Sequence, residues 1–169
     1  INLNMRQLDE VLQDGVAWMV RQGFGEEEDR AAIESSGMLE DADPSRVSSQ
    51  AKARGKDQIG TMGAGNHFVE VDRVEEIFEL GEAFGLFKDQ IVILIHTGSR
   101  GLGHQVATDY IRLMMSAMPQ YGISLPDREL ASVPYQSKEG SDYFKAMCAA
   151  ANFAWANRQM ITHQVRHAW

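Results

Sequence analysis

A glycine-rich stretch that leads directly into polar residues is the first candidate site. It reads Gly60-Thr61-Met62-Gly63-Ala64-Gly65-Asn66-His67-Phe68-Val69-Glu70, and its glycines let the backbone approach a ligand closely. In an extended segment Asn66, Phe68 and Glu70 share one face. There the aromatic ring can stack on a purine and the carboxylate can accept hydrogen bonds from guanine N–H groups. His67 is expected on the opposite face, where it could bind a metal; the alternative is a glycine turn, a half-buried strand and a core histidine.

A second candidate site combines a strand, a glycine-rich loop and a helix. It reads Ile95-His96-Thr97-Gly98-Ser99-Arg100-Gly101-Leu102-Gly103-His104-Gln105. Backbone N–H groups at a helix start favour anions such as phosphate, and Arg100 adds a fork-shaped donor. His96 ends the strand, where active-site residues of open sheets lie, whereas His104 is expected to cap or pack. The Gly-Lys-Ser/Thr ending of a P-loop is absent, and a structural strand–turn–helix junction is the alternative.

Several further residues have chemistry but a simpler structural explanation. His163 and His167 share a helical face and could hold a metal, but no third ligand is nearby, and surface histidines at a helix end are the favoured explanation. Cys148 lies among small apolar residues and is expected to pack. Four polar residues of the same predicted helix could line a polar site or belong to a partly exposed helix: Asn152, Asn157, Arg158 and Gln159.

The composition is that of a globular protein without a general affinity for nucleic acid. The net charge is −8, and residues 1–50 carry 11 acids and 4 bases, so any RNA contact must come from a local cluster or from parts of the protein outside this chain. The longest strongly apolar run, 91–95, is too short to cross a bilayer. One cysteine excludes a disulfide within the chain and fits a reducing, cytoplasmic setting. A first residue other than Met and a last residue inside a helical pattern predict a piece of a longer protein.

Hydrophobic periodicity predicts a mixture of helices and strands. The predicted helices cover 4–22, a short segment ending at 35, 44–54 with Asp43 as N-cap, 74–84, 106–118 and 142–169. The predicted strands cover 66–72 and 91–95, and the continuous apolar run of the second indicates burial on both faces. Residues 119–141 are predicted to be mostly loop. Without regular strand–helix alternation, the fold class is α/β or mixed α+β.

Three motifs together resemble the RtcB family of RNA-splicing ligases. Residues 60–70 resemble the family's GTLGSGNHF-type motif, with Met62 and Ala64 as mild departures, and residues 95–105 resemble its H-[ST]-G-S-R-G-[LF]-G-H-Q motif. Residues 152–159 also look like a family stretch. The resemblance covers nearly the whole chain. It implies a partial RtcB-like fold, with 1–169 a single segment of the catalytic domain that lacks N-terminal and C-terminal parts.

The resemblance implies a GTP- and Mn²⁺-dependent RNA ligase. Such an enzyme joins an RNA 3′-phosphate or 2′,3′-cyclic phosphate to a 5′-hydroxyl through a covalent histidine–GMP intermediate, in tRNA splicing and RNA repair. The implied partners are GTP, RNA in the form of tRNA exon halves or broken RNA, and an archease-type activating protein. A cytoplasmic location without membrane association is also implied.

Residue by residue, the family's motifs match only part of its site. His67 and His96 match manganese ligands, and Arg100 matches a position suited to an RNA-terminal phosphate. The nucleotide-binding strand matches Asn66, His67, Phe68, Val69 and Glu70. The upstream acid and cysteine ligands, a third histidine ligand and the guanylylated histidine have no match, so the chain alone is expected to be inactive. A non-catalytic nucleotide- or metal-binding module and a metal-dependent phosphoesterase are the alternatives.

Overall fold

The computed structural model describes residues 1–168, apart from the side chain of Arg128. The chain divides into two compact units. The first comprises residues 1–61 and those from 98 onward, and the second, Met62–Thr97, is inserted between these two parts. The mixed helix-and-sheet class predicted from the sequence is confirmed.

In the described part of the chain, six α-helices belong to the first unit and two strands to the second. The helices are α1 (Met5–Asp14), α2 (Val16–Arg21), α3 (Glu27–Ala31), α4 (Ser49–Gly55), α5 (Arg100–Ala117) and α6 (Lys138–Ala168). The strands are β1 (Phe68–Arg73) and β2 (Ile91–His96). Short 3₁₀ turns occupy Glu34–Gly37, Pro44–Arg46, Glu79–Phe84, Met118–Tyr121 and Arg128–Leu130. None of the helices in the described part of the chain is both long and apolar enough to span a membrane.

The helix predicted over 4–22 is two helices, because Gly15 interrupts it. Asn4 begins α1 with a capping box, in which Asn4 and Gln7 exchange side-chain-to-backbone hydrogen bonds. Gly15 then adopts φ +53°, a conformation that residues with a Cβ atom rarely adopt, and a Cβ atom there would collide with the Gly37 carbonyl oxygen. The helical spacing of apolar residues continues across Gly15, which is why periodicity alone misses the break.

The core of the first unit forms where α6 packs against α1, α2 and α5. Phe153 of α6 is fully buried, and Leu8 and Leu12 of α1 are fully buried in the same cluster. Ala149 and Cys148 let neighbouring elements approach α6 closely, and burial raises the pKa of the Cys148 thiol. The packing role predicted for this cysteine agrees with its environment.

Other element boundaries differ from the sequence prediction. Asp43 does act as an N-cap, accepting from the Ser45 N–H at 2.9 Å, but only a 3₁₀ turn follows before α4 begins. Helix α5 starts at Arg100, so the predicted glycine-rich loop is largely helical. Residues 74–84 are helical only in the 3₁₀ turn that starts at Glu79. Helix α6 begins at Lys138, inside the segment predicted as loop.

The second unit is an antiparallel hairpin of β1 and β2. Its register runs from Phe68 opposite His96 to Arg73 opposite Ile91. The prediction that β2 is buried on both faces is wrong for the described residues, in which β2 pairs with β1 alone and Leu94 is 50% exposed. An apolar run shows that a strand is hydrophobic, but it does not show whether another layer of the protein covers that strand.

One ion pair ties α3 to the end of α6. Both guanidinium Nη atoms of Arg166 donate to the Asp29 carboxylate at 2.8 Å, and Gln159 Nε2 donates to it at 2.9 Å. This bidentate arrangement stabilises the charged carboxylate. The hydrogen bonds from Arg166 are the largest of the effects that lower the pKa of Asp29 to about 2 from its usual 3.8.

We expect Asp29→Asn to make the protein less stable at neutral pH by about 1–2 kcal/mol, a value discounted because the Arg166 side chain is half exposed. A lowered pKa contributes stability above pH 3.8 that is lost as the pH falls towards 2. Urea unfolding at pH 7 and pH 3 checks this, with Glu28→Gln on the exposed side of α3 as the control. An Asp29→Asn deficit as large at pH 3 as at pH 7 would contradict the assignment.

Candidate functional site

His67 lies immediately before β1 and is oriented by a hydrogen bond to the backbone. Its Nδ1 is 2.9 Å from the carbonyl oxygen of Ala64, on a turn in which Gly63 and Gly65 have positive φ angles. A carbonyl oxygen only accepts, so Nδ1 carries the proton and Nε2 of the neutral ring keeps its lone pair. This is the arrangement that fixes the tautomer of metal-binding histidines.

His96 ends β2 and lies close to the ring of His67. The centroids of the two imidazole rings are 6.0 Å apart. Because an imidazole nitrogen binds a metal at about 2.0–2.1 Å, two rings at this spacing can reach one ion. The His96 ring also packs against Phe68, its cross-strand partner, at 5.1 Å. The two predicted ligands, which are far apart in sequence, therefore meet at one end of the hairpin.

The expectation that His67 points away from Phe68 and Glu70 is wrong. Strand β1 begins at Phe68, so strand alternation does not extend back to His67, whose ring turns towards His96. Phe68 and Glu70 do share a face, as predicted, and His96 shares it because directly paired residues project to the same side. Val69, opposite Ile95, lies on the other face. Asn66 precedes the strand and is exposed.

The histidine pair is not a complete metal site within the described residues. In residues 1–168 no group of three or more His, Cys, Asp or Glu side chains is placed to hold a metal ion. The other histidine pair, His163 and His167, has ring centroids 4.1 Å apart in a tilted stack, and His167 Nδ1 bonds the His163 carbonyl. The His163 ring edge also meets Phe24 at 5.3 Å, so ring packing accounts for this pair.

Arg100, in the first unit, occupies an unusual backbone conformation at the start of α5. Its φ is +53°, which costs a residue with a side chain about 1–2 kcal/mol, and strain of this kind is frequent at functional sites. Its Nε donates to Thr61 Oγ1 at 3.0 Å. The predicted anion-binding backbone is partly occupied, because the Gly101 N–H donates to Gln58 Oε1 at 2.9 Å. Binding of an anion here would therefore depend more on the Arg100 guanidinium, and less on backbone N–H groups, than the sequence predicts.

Two asparagines of α6 have a role that spacing did not reveal. Asn152 and Asn157 are fully buried, so neither lies on the exposed side of α6. Asn157 binds the backbone of Gly60, Thr61 and Gly98, all of which lie within the two candidate motifs. Two asparagines amid apolar residues of a long helix are the only sequence signal for this, because a buried amide must find partners.

Comparison with known proteins defines the class of this mixed helix-and-sheet chain. The family model described as "tRNA-splicing ligase RtcB" matches residues 1–169. A tRNA-splicing ligase RtcB of Pyrococcus furiosus is 57% identical over all of this chain and 18% of its own length. Relatives of the same name from Thermococcus kodakarensis and Aeropyrum pernix are 56% and 54% identical over all of this chain, each over 36% of its own length.

The chain belongs to the RtcB family. It spans between about a fifth and about a third of the length of these three relatives. The motifs at 60–70 and 95–105 both lie inside the matched region. The predicted family membership is thus confirmed over the whole chain.

Proposed function

We propose that the protein containing this chain is an RNA ligase that joins a 3′-phosphate or 2′,3′-cyclic phosphate end to a 5′-hydroxyl end. The observation that carries the proposal is identity above 50%, along the entire chain, to proteins named tRNA-splicing ligase RtcB. Broken RNA and tRNA exon halves are the proposed substrates. GTP and an archease-type activator are the proposed partners, and the cytoplasm is the proposed location.

In this proposal His67 and His96 are ligands of Mn²⁺. The Ala64 carbonyl holds His67 with Nε2 available, and the His96 ring is within reach of the same ion. Bound Mn²⁺ would supply Lewis-acid stabilisation of charge on phosphoryl oxygens. Mn²⁺ commonly takes oxygen ligands besides imidazole, so two histidines fit as part of a larger ligand set to which other parts of the protein contribute.

The strand face beside the histidines is the proposed guanine site. Phe68 offers a ring for stacking, and the exposed Glu70 carboxylate can accept hydrogen bonds from guanine N–H groups. Their position on the face that His96 shares supports binding of the nucleotide next to the metal. Asn66, just before the strand, is the proposed amide partner, and Val69 supports the strand from its other face.

Arg100 is the proposed ligand of the RNA-terminal phosphate. Its Nε is engaged by Thr61, which fixes the plane of the guanidinium. A fixed guanidinium plane favours bidentate binding of phosphate. This assigns RNA and nucleotide to different residues of the chain and makes the two binding functions separable by mutation.

The ligation reaction itself tests the proposal. The full-length protein should seal a labelled RNA carrying 3′-phosphate and 5′-hydroxyl ends, and the product should require both Mn²⁺ and GTP. The 169-residue chain alone should form no histidine–GMP adduct, because no histidine in it matches the family's nucleophile. Release of phosphate without joining, independent of GTP, would favour a phosphoesterase instead. Binding of GTP or Mn²⁺ without either reaction would favour a non-catalytic module.

A further inference from the structure

One buried side chain binds both of the backbone segments from which the second unit extends. Asn157 Oδ1 accepts from the Gly60 and Thr61 N–H groups at 2.7 and 3.1 Å. Its Nδ2 donates to the carbonyl oxygens of Thr61 and Gly98 at 3.0 Å each. Thr61 and Gly98 are the residues of the first unit that flank the second unit in sequence. One amide therefore holds the outgoing and returning segments side by side.

We propose that Asn157 is a positioning residue for the histidine pair, acting through the backbone of Thr61 and Gly98. His96 is two residues from Gly98, so at most about 7 Å of extended chain separates them. Metal–ligand distances are held within about 0.2 Å in a working site, so even a small change in the spacing of the two segments is significant for a ligand this close. The inference rests on the proposed function, in which His67 and His96 bind Mn²⁺.

The residues next to those held by Asn157 are themselves paired inside the second unit. The Thr97 hydroxyl donates to the Met62 carbonyl oxygen, which closes the open end of the hairpin. On the returning side His96, which pairs with Phe68 in the first rung of the strand ladder, immediately precedes Thr97, whereas residues 63–67 separate Met62 from Phe68 on the outgoing side. The histidines thus belong to the end of the hairpin that is nearest in sequence to the two segments, and not to its tip.

The hydrogen bonds of the Thr61 hydroxyl do not replace those that Asn157 makes to the two segments. The Thr61 hydroxyl donates to the Gln58 carbonyl oxygen at 2.7 Å and accepts from Arg100 Nε at 3.0 Å. The first bond holds the outgoing segment alone, and the second joins it to Arg100, two residues beyond Gly98. Asn157 differs because a single planar group contacts the outgoing and the returning carbonyl, which sets their separation directly.

Asn152 provides a matched control one and a half turns earlier on α6. Its Oδ1 accepts from the Leu39 N–H, and its Nδ2 donates to the carbonyl oxygens of Leu12, Gln13 and Leu39. It is as buried as Asn157 and also binds backbone, but at segments remote in sequence from the motifs. In each case Asn→Asp keeps the acceptors and removes the donors, placing a carboxylate against carbonyl oxygens.

The test compares Asn157→Asp with Asn152→Asp in the full-length protein, with Asn157→Ala and Asn152→Ala as a second pair. Three quantities are measured: the melting temperature, the Kd for Mn²⁺ alone, and hydrogen exchange of the Phe68 and His96 amides without metal. We expect substitutions at both asparagine positions to lower the melting temperature. Only the Asn157 variants should weaken Mn²⁺ binding, by about 10-fold, and speed exchange at the first rung of the hairpin.

Equal losses of Mn²⁺ affinity at the two positions would overturn the inference, as would folded Asn157 variants with unchanged affinity and exchange. If neither Asn157 variant folds while both Asn152 variants do, Asn157 is required for folding and the positioning role is also overturned. Failure of the proposed function would give a different result: the His67→Ala variant would bind Mn²⁺ as tightly as the wild type does. The exchange measurement still decides whether Asn157 controls the hairpin in that case.

Discussion

Replacing His96 with alanine in the full-length protein should reduce RNA sealing by on the order of 100- to 1000-fold. In the proposed function the imidazole is one of two nitrogen ligands that this chain contributes to a Mn²⁺ site, and its ring lies 6.0 Å from that of His67. Lewis-acid stabilisation of a reacting phosphoryl group is worth several kcal/mol, and each 1.36 kcal/mol is a factor of about ten in rate. Sealing and Mn²⁺ affinity should fall together, because both depend on the same ligand. Single-turnover ligation and Mn²⁺ titration measure the two effects.

The control for this substitution is His167→Ala, which removes an exposed histidine of α6 outside both candidate motifs. It should leave sealing within about twofold, since exposed substitutions away from special features have small effects. A His96→Ala protein that is folded, binds Mn²⁺ as tightly as the wild type and still seals RNA would remove His96 from the metal site. If His67→Ala gave the same outcome as well, neither histidine would be a ligand of the metal.

Arg100→Ala should impair RNA sealing about 10- to 200-fold while sparing guanylylation of the protein. Loss of one charge-assisted phosphate contact costs roughly 1.5–3 kcal/mol, and the proposed guanine site depends on Phe68 and Glu70 instead. Arg100→Lys should restore little, because a point charge cannot reproduce a bidentate fork. Adduct formation with labelled GTP and sealing of RNA ends, measured on the same preparations, separate the two steps.

Arg100→Gly separates the side chain's function from its structural role. Glycine accepts the φ of +53° found at this position without strain, which offsets the loss of the Arg100–Thr61 hydrogen bond. The melting temperature should therefore stay near or above that of Arg100→Ala, while sealing stays as low. If guanylylation drops as far as sealing in a folded variant, Arg100 belongs to the nucleotide site. If Arg100→Gly instead restores RNA sealing together with the melting temperature, the role of Arg100 is structural.

The sequence was sufficient to predict the residues of the hairpin but not their geometry. The alternation of Phe68 and Glu70 gave their common face correctly, because the strand period applies wherever a strand exists. It placed His67 on the wrong side because periodicity does not reveal where a strand begins. The exposure of Leu94 was missed for a related reason: burial depends on neighbours that the residue's own segment does not encode.

The remaining differences come from tertiary contacts that override local preference. Gly101 and Gly103 argued against a helix, yet α5 begins at Arg100, where Gln58 accepts from the Gly101 N–H and so supports the first turn. The break at Gly15 depends on close approach to Gly37, a neighbour that is remote in sequence. The role of Asn157 depends on segments about 60 and 97 residues away. None of these partners is visible in a local window.

The dependence of the amino-terminal part on α6 also sets the order in which the protein can fold during synthesis. Asn152 satisfies the carbonyl of Leu12 across 140 residues and the N–H of Leu39 across 113, and Phe153 belongs to the same buried cluster as α1. At about 5–20 residues per second, the ribosome leaves α1 without these partners for roughly 5–30 s after it emerges. Its apolar face is exposed throughout that interval, so the nascent amino-terminal helices are the part of this chain with most need of protection from aggregation.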